Sequence, residues 1–334
     1  MHHGHGDDLY QYEHIRLNFS SNVYDHFRHD GLYAHLARRM DVVAHYPEPS
    51  AGRLEQRLAQ ALGLEPSSVL ATSGATEAIY LAAHAFRGQK SVVLGPTFSE
   101  YADACRMHGH TVRYISRIDD LPDDAQLCWL CNPNNPTGTV LAREVLLDAV
   151  TARKHTLFVV DASYACFTRK PLITPSEAVG LPNILLLQSL TKRFAVPGLR
   201  IGYATGRAEL LARLRQLQMP WSINSLAQEA AFYLMEHEQD YSIPLELLLT
   251  ERERVAEQLT QTGQVEVYPS DTHILLACLK EGTAAHLKEV LATQHGILIR
   301  DASNFEGLTP SHFRIAVQPP EANNEFLKAM ALCL

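Results

Sequence analysis

Apolar residues recur at three- and four-residue intervals across positions 52–62, at Leu54, Leu58, Ala61 and Leu62, and that spacing predicts an amphipathic helix. After it the period changes. Short apolar runs at 69–71, 91–94, 111–115, 126–131, 156–160, 184–188 and 201–204 read as strands, with helical stretches from Ser73 to about Phe86 and from Phe98 to His108 between them. Several runs are apolar at nearly every position, as strands are when helices cover both faces of a parallel sheet. Near residue 225 the texture shifts: long helical periodicities at 226–237 and 244–262 lead to strand-like segments at 265–267, 273–279 and 313–317. The expected architecture is α/β. A large domain over residues 31–224 carries a mostly parallel seven-stranded sheet flanked by helices, and residues 1–30 with 225–334 form a small α+β domain.

Composition narrows the possible functions without naming one. The chain of 334 residues is 46% apolar and 20% charged, an ordinary globular balance. Its longest purely aliphatic stretch, 184–187, is far too short to span a bilayer, so no membrane partner is expected. Met1-His2-His3-Gly4-His5-Gly6-Asp7-Asp8 lacks the apolar core of a signal peptide, and a cytoplasmic location is expected by default. A net charge of −8 argues against a nucleic-acid partner, which would need a basic stripe. The cysteines, at 105, 128, 131, 166, 278 and 333, are scattered in the manner of reduced core thiols. Cys128 and Cys131 have the spacing of half a metal site, yet side chains three apart on a strand face opposite ways, so no metal is expected there. The histidine-rich start admits a metal-binding tract, a solvated arm or expression remnant, and an arm that touches substrate.

In open α/β sheets ligands gather outside the carboxyl ends of the strands. Ser73–Gly74, the turn Asn132-Pro-Asn-Asn-Pro-Thr-Gly138, Asp161 and Ser189-Leu-Thr-Lys192 each follow directly on a predicted strand, so all four can converge. They would bring together an amine, an anion cradle, an acid and a phenol. Lys192, at a strand end in apolar surroundings, can lose its proton more readily than a surface lysine, because burial disfavours the charged form. Gly74-Ala75-Thr76 offers backbone N–H groups at a helix start, where a phosphate binds. Ser189 and Arg200, three residues before and eight after Lys192, can close on the same group.

Asp161 ends an apolar run and can keep a ring nitrogen protonated. Raising that nitrogen's pKa by about two to three units takes roughly 3–4 kcal/mol, within reach of a partly buried ion pair. Tyr164 and Asn135 are placed to serve a phenolic oxygen, and Phe98 to stack on a ring. Singly, each has a plainer reading: a solvated lysine, a helix cap, a turn-capping aspartate, a loop, a core aromatic. Together they match, group for group, the aldehyde, phosphate, pyridine nitrogen and phenolic oxygen of pyridoxal 5'-phosphate (PLP).

Asn135-Pro-Thr-Gly138, Asp161-x-x-Tyr164 and Ser189-x-x-Lys192-x7-Arg200, in this order and spacing, resemble fold-type I PLP-dependent aminotransferases, over essentially the whole chain. The resemblance implies the type I PLP-dependent transferase fold, with Lys192, Asp161 and Tyr164 catalytic and the positions named above holding the cofactor. Tyr46, in His45-Tyr46-Pro47, resembles the tyrosine that reaches the phosphate of a neighbouring subunit's cofactor, which implies a homodimer. Ala162 departs from the pattern, since many relatives carry Glu there.

Within the family, segments 218–224 and 297–308, Phe313-Arg314-Ile-Ala-Val317 and a His-Gly start look like the histidinol-phosphate aminotransferase branch and, more closely, its threonine-phosphate decarboxylase relatives of cobalamin biosynthesis. That likeness implies a substrate carboxylate on Arg314 and a substrate phosphate on Arg300 and an N-terminal histidine, His3 or His5, with Asn135 and Asn22 also against substrate. The physical case runs in parallel: Arg300 ends one strand-like segment, Arg314 lies within another, and two guanidinium forks suit a substrate with two anionic groups. Threonine phosphate offers both anions at once, whereas histidinol phosphate offers only the phosphate.

The expectation is a PLP-dependent carboxy-lyase that converts L-threonine-O-3-phosphate to (R)-1-aminopropan-2-ol phosphate. An aminotransferase such as one acting on histidinol phosphate is the alternative, because the torsion that selects the breaking bond at Cα is not written in the sequence. A non-enzymatic PLP-binding regulator would be expected to carry a DNA-binding module, for which a sheet pattern beginning by about residue 50 leaves no room.

Overall fold

The structure is a computed structural model and describes residues 8–334. A seven-stranded sheet forms its centre, in the spatial order Val69–Thr72, Gly202–Gly206, Ile184–Ser189, Leu157–Asp161, Leu127–Cys131, Lys90–Leu94, Thr111–Ile115. The pairings from Ile184–Ser189 through to Thr111–Ile115 are all parallel. Gly202–Gly206 is antiparallel to both of its neighbours, and it makes the sheet mostly rather than wholly parallel. A parallel crossover takes about a dozen residues or more, usually with a full helix. The link between Ser189 and Gly202 is at that lower limit and forms only the short helical turns Leu190–Phe194 and Pro197–Leu199, with no full crossover helix, and the chain doubles back.

Leu127–Cys131 and Leu157–Asp161 are buried at every position, as a sheet covered on both faces requires. Alternation along the first of these sends Leu127, Trp129 and Cys131 into one layer of core and Cys128 and Leu130 into the other, so the two cysteines face opposite sides. The predicted amphipathic helix is Gly52–Leu62; it buries Leu54, Leu58 and Ala59 and stops at Gly63, whose φ of 66° is the left-handed conformation that ends a helix cheaply.

A second, antiparallel sheet has the order Arg300–Asp301, His312–Ala316, Ile274–Leu279, Val265–Val267. Its core is shared with Val255 and Leu259, Leu287 and Leu291, and Phe326 and Met330, from the helices Leu245–Gln261, Ala284–His295 and Pro320–Cys333. One expectation is corrected here. Residues 297–300 are not one strand ending at Arg300: Ile297–Leu298 pairs in parallel with Leu17–Asn18, and Arg300 begins the next strand in a different sheet.

Helix Ser225–Glu236 buries Ala227, Ala230, Ala231 and Leu234 in the same core as Leu32, Val69 and Tyr203 of the large sheet's layer. Tyr241 belongs to that core as well. No helix among the described residues is long and apolar enough to cross a membrane.

Candidate active site

Four strand ends meet. Asp161 and Ser189 are the last residues of adjacent strands; Thr72, level with Ser189 through their shared partner Gly202, leads into helix Gly74–Ala85; and Cys131 leads into the Asn132–Gly138 turn. Around them lies a cavity of about 270 Å³, near the lower end for small-molecule sites. Its wall includes Ala75, Thr76, Phe98, Asn135, Asp161, Tyr164, Ser189, Lys192, Arg200, Arg300, Arg314 and Asn22, so most of the residues expected from sequence are brought together. Gly74 lies directly behind Arg200. Tyr46 does not line the cavity of its own chain, and His5 lies outside the described residues.

Asp161 is buried, and burial raises its pKa above the ordinary carboxylate range. Hydrogen bonds from the Ser163 backbone N–H and hydroxyl to Oδ1, at 2.9 and 2.5 Å, and from the Tyr101 hydroxyl to Oδ2, at 2.8 Å, pull the other way. The result is a buried acid held in one orientation, with the charge of Lys192 also acting on it. Tyr164 is buried and its pKa is pushed well up, mainly by that burial, so its hydroxyl keeps its proton; Asn22 donates to it at 2.7 Å. The Lys192 amine stands 5.8 Å from the centre of the Tyr164 ring.

The anion cradle depends on two glycines. Ser73 makes no side-chain cap to the helix it precedes, which leaves the first N–H groups of Gly74–Ala85 for another acceptor. A Cβ on Gly74, itself at φ 74°, would stand 2.8 Å from Nη2 of Arg200, and one on Gly202 would stand 2.7 Å from the backbone N of Ala75. Only glycine lets Arg200 and the helix start close together. A helix N-terminus, a guanidinium and the Ser189 hydroxyl at one end, with a buried carboxylate at the other, fit the phosphate and pyridinium of PLP.

The second sheet supplies the opposite wall. Arg314, 2% exposed, donates to Asn135 Oδ1 at 2.7 Å and to the carbonyl of Ser20. Arg300, 6% exposed, donates to the Asp301 carbonyl and to Asn304 Oδ1, both at 2.6 Å, and lies over the Phe305 ring. The Asn132–Gly138 turn is tied to this side: Asp271 N donates to Gly138 O at 2.9 Å, and a Cβ at Gly138 would meet the Ile274 carbonyl at 2.5 Å.

Sequence reasoning missed several residues. Tyr101 and Ser163 hold Asp161, and Ser163 could have been found as the Asp-x-Ser step in which an aspartate accepts from the N–H two residues on. Tyr101 carries no such local signal. Ser20 and Ser21 reach the cavity because Asn18 Oδ1 accepts from both of their N–H groups at 3.0 Å and turns the chain inward. His273 stacks on Phe167 at 3.8 Å beneath the site, and burial, with Arg314 and Lys192 adding, lowers its pKa to about 3, so it is neutral at neutral pH.

A type I sheet with this lysine, carboxylate and cradle defines a PLP-dependent enzyme, a lyase or an aminotransferase, with pyridoxal 5'-phosphate as cofactor. The family model for aminotransferase class I and II matches residues 14–330, and the chain belongs to that family. It is 30% identical to a threonine-phosphate decarboxylase of Salmonella typhimurium, with 94% of this chain and 90% of the relative covered. It is also 30% identical to a histidinol-phosphate aminotransferase of Thermoanaerobacter pseudethanolicus, covering 85% and 83%. Among solved structures, an L-threonine-O-3-phosphate decarboxylase from Porphyromonas gingivalis superposes with a TM-score of 0.92 at 38% identity, covering 95% of this chain and 99% of that one.

Proposed function

We propose that the protein decarboxylates L-threonine O-3-phosphate to (R)-1-aminopropan-2-ol phosphate. The observation that carries this reading is a pair of buried guanidiniums, Arg300 and Arg314, in the wall of the cavity that also contains Lys192 and Asp161. A substrate with a carboxylate at one position and a phosphate at another satisfies both forks at once. The similarity to threonine-phosphate decarboxylases over nearly the full chain supports the same choice.

PLP, when bound, supplies the electron sink for a bond broken at the substrate's Cα. The chain's residues do the rest. Lys192 would hold the cofactor through its amine, and that amine would hold or return a proton at Cα. With the cofactor bound, Asp161 would supply a negative charge to its ring nitrogen, Tyr164 and Asn135 would serve the phenolic oxygen, Gly74, Ala75, Thr76, Ser189 and Arg200 would take the phosphate, and Phe98 would pack on the ring. Arg314 grips the substrate carboxylate and Arg300 its phosphate, with Asn22 alongside. Two anchors fix the rotation of the substrate about Cα and so select the bond that breaks. The carboxylate leaves as carbon dioxide, and a proton takes its place.

Mixing the holoenzyme with L-threonine O-3-phosphate tests this, with carbon dioxide and cofactor absorbance followed together. Carbon dioxide release without build-up of the pyridoxamine form is the expected result. Build-up of that form, or turnover only with histidinol phosphate and 2-oxoglutarate, would give the site to the aminotransferase reading, which the equal identity to a histidinol-phosphate aminotransferase keeps in view. Arg300→Ala is expected to raise KM for the phosphorylated substrate by about 10²-fold, the order for truncating one side of a desolvated charge pair. An equal loss with unphosphorylated threonine would remove Arg300 from the phosphate.

The reading includes a homodimer. Tyr46 is 84% exposed, 5.2 Å from the ring of Trp221, and Met40, Val43 and Met219 are also exposed in these loops. An apolar surface of this kind suits an interface through which Tyr46 reaches the neighbouring site. Sedimentation should give twice the chain mass, and Tyr46→Phe should weaken cofactor binding about tenfold. A monomer that holds the cofactor fully would overturn the dimer.

A further inference from the structure

Leu17–Asn18, paired with Ile297–Leu298, continues into the cavity as a strap through Phe19, Ser20, Ser21 and Asn22, and this strap is pinned along its length. Phe19 is fully buried: its N–H donates to the Leu298 carbonyl at 2.8 Å, its carbonyl accepts from Ala316 at 2.9 Å, and its ring centre lies 4.8 Å from that of Phe326. Asn18 Oδ1 accepts from the N–H groups of Ser20 and Ser21, both at 3.0 Å. The Ser20 carbonyl accepts from Arg314, and the Asn22 amide donates to the Tyr164 hydroxyl at 2.7 Å. A backbone held on both sides in this way fixes where the side chain between them stands.

That side chain is Ser21. It is 8% exposed and lines the cavity. Its hydroxyl bonds to no described residue, and it is not one of the polar atoms sealed in the interior without a partner, so it opens onto the space a ligand would fill. Covering such a hydroxyl with a ligand that offers no acceptor costs about 1–3 kcal/mol. A carboxylate oxygen there would instead accept a charge-assisted bond from it. Position decides which anion it meets. Its neighbours along the chain touch Arg314 and Tyr164, whereas the bonds of Arg300 to the Asp301 carbonyl and to Asn304 lie within the segment 300–304.

We propose that the Ser21 hydroxyl is a substrate contact, donating to an oxygen of the carboxylate held by Arg314. The inference rests on the proposed function, in which Arg314 takes that carboxylate. One guanidinium fork leaves the gripped group free to swing with the arginine side chain. A second donor, carried on a rigid strap, fixes the orientation of the carboxylate about Cα, which is the feature that selects the bond to be broken.

The test compares wild type, Ser21→Ala and Ser21→Thr as holoenzymes with three ligands: L-threonine O-3-phosphate, L-threonine, and (R)-1-aminopropan-2-ol phosphate as an inhibitor. The first two carry the carboxylate; the third keeps the amine and the phosphate and lacks it. Ser21→Ala should raise KM for L-threonine O-3-phosphate about tenfold and weaken L-threonine by a similar factor, the order for losing one hydrogen bond to a charged group. Its Ki for the amine phosphate should stay within about twofold of wild type, as should its cofactor affinity. Ser21→Thr keeps a hydroxyl and should stay within about threefold for all three ligands. An unchanged KM in Ser21→Ala overturns the inference. An equal rise in Ki for the amine phosphate also overturns it, because the hydroxyl would then serve the phosphate or only the fold of the strap. If wild type binds L-threonine O-3-phosphate and releases no carbon dioxide, the functional reading fails by itself. Dissociation constants for the same three ligands, read from cofactor absorbance, then decide the Ser21 contact by the same pattern.

Discussion

Lys192→Ala is expected to lower kcat/KM by roughly 10⁴-fold or more, the scale reached when the residue that forms the covalent link is removed. Among the described residues lining the cavity it is the sole lysine. It sits on a five-residue helical turn, Leu190–Phe194, directly after the strand that ends at Ser189, so its backbone is held by the sheet and its amine is carried to the Tyr164 ring. Borohydride treatment of the wild-type holoenzyme should fix the cofactor to the peptide containing residue 192, and the variant should carry no such mass. The variant's thermal melt in the absence of cofactor should match wild type, which separates lost chemistry from lost folding. A labelled peptide elsewhere in the chain, or a variant that retains turnover, would refute the assignment.

Asp161→Asn comes second, with two effects of opposite sign. Removing the buried charge from opposite the ring nitrogen should lower kcat by about 10²- to 10³-fold, as expected for breaking a buried pair worth roughly 3–5 kcal/mol. The cofactor-free protein should respond in the other direction. Burial raises the Asp161 pKa in the fold, so the stability this group contributes is fully present below the ordinary carboxylate range and is lost as pH rises through the raised value. Cofactor-free Asp161→Asn should therefore melt above cofactor-free wild type at neutral pH, with the gap closing toward pH about 4. Adding cofactor should reverse the order, because only the carboxylate gains a cationic partner. If the variant is less stable than wild type without cofactor, the hydrogen bonds from Tyr101 and Ser163 outweigh the desolvation and the carboxyl is not poised as described.

These two residues also show how far the sequence could be read. Lys192 and Asp161 were legible because an apolar run followed at once by a polar residue marks a strand end, and parallel strands bring such ends to one edge of the sheet. The cradle was legible for the same reason, since Gly74-Ala75-Thr76 opens a helix on the next edge. Tyr101 was not. It bonds Asp161 from sixty residues away, and that contact exists only because helix Glu100–Met107 packs over Trp129 and lays Tyr101 beside it at 6.2 Å. Arg300 and Arg314 could be picked out as candidates. Their meeting with Asn135 and Lys192 depends on the docking of the second sheet on the Asn132–Gly138 turn, with a glycine at 138 to admit the Ile274 carbonyl.

The sequence by itself determined the local chemistry and the order of elements: which runs become strands, where each ends, and which polar residue stands at each end. Periodicity and strand-end placement are properties of neighbours along the chain, so they can be read from neighbours. The tertiary structure alone decided the direction of Gly202–Gly206, the split of residues 297–300 between two sheets, the packing of helix Ser225–Glu236 on the large sheet's layer, and the pairing of Asp8 with Lys288. Each depends on loop length or on surfaces brought together from distant segments, where burial and charge balance are settled by what packs against what.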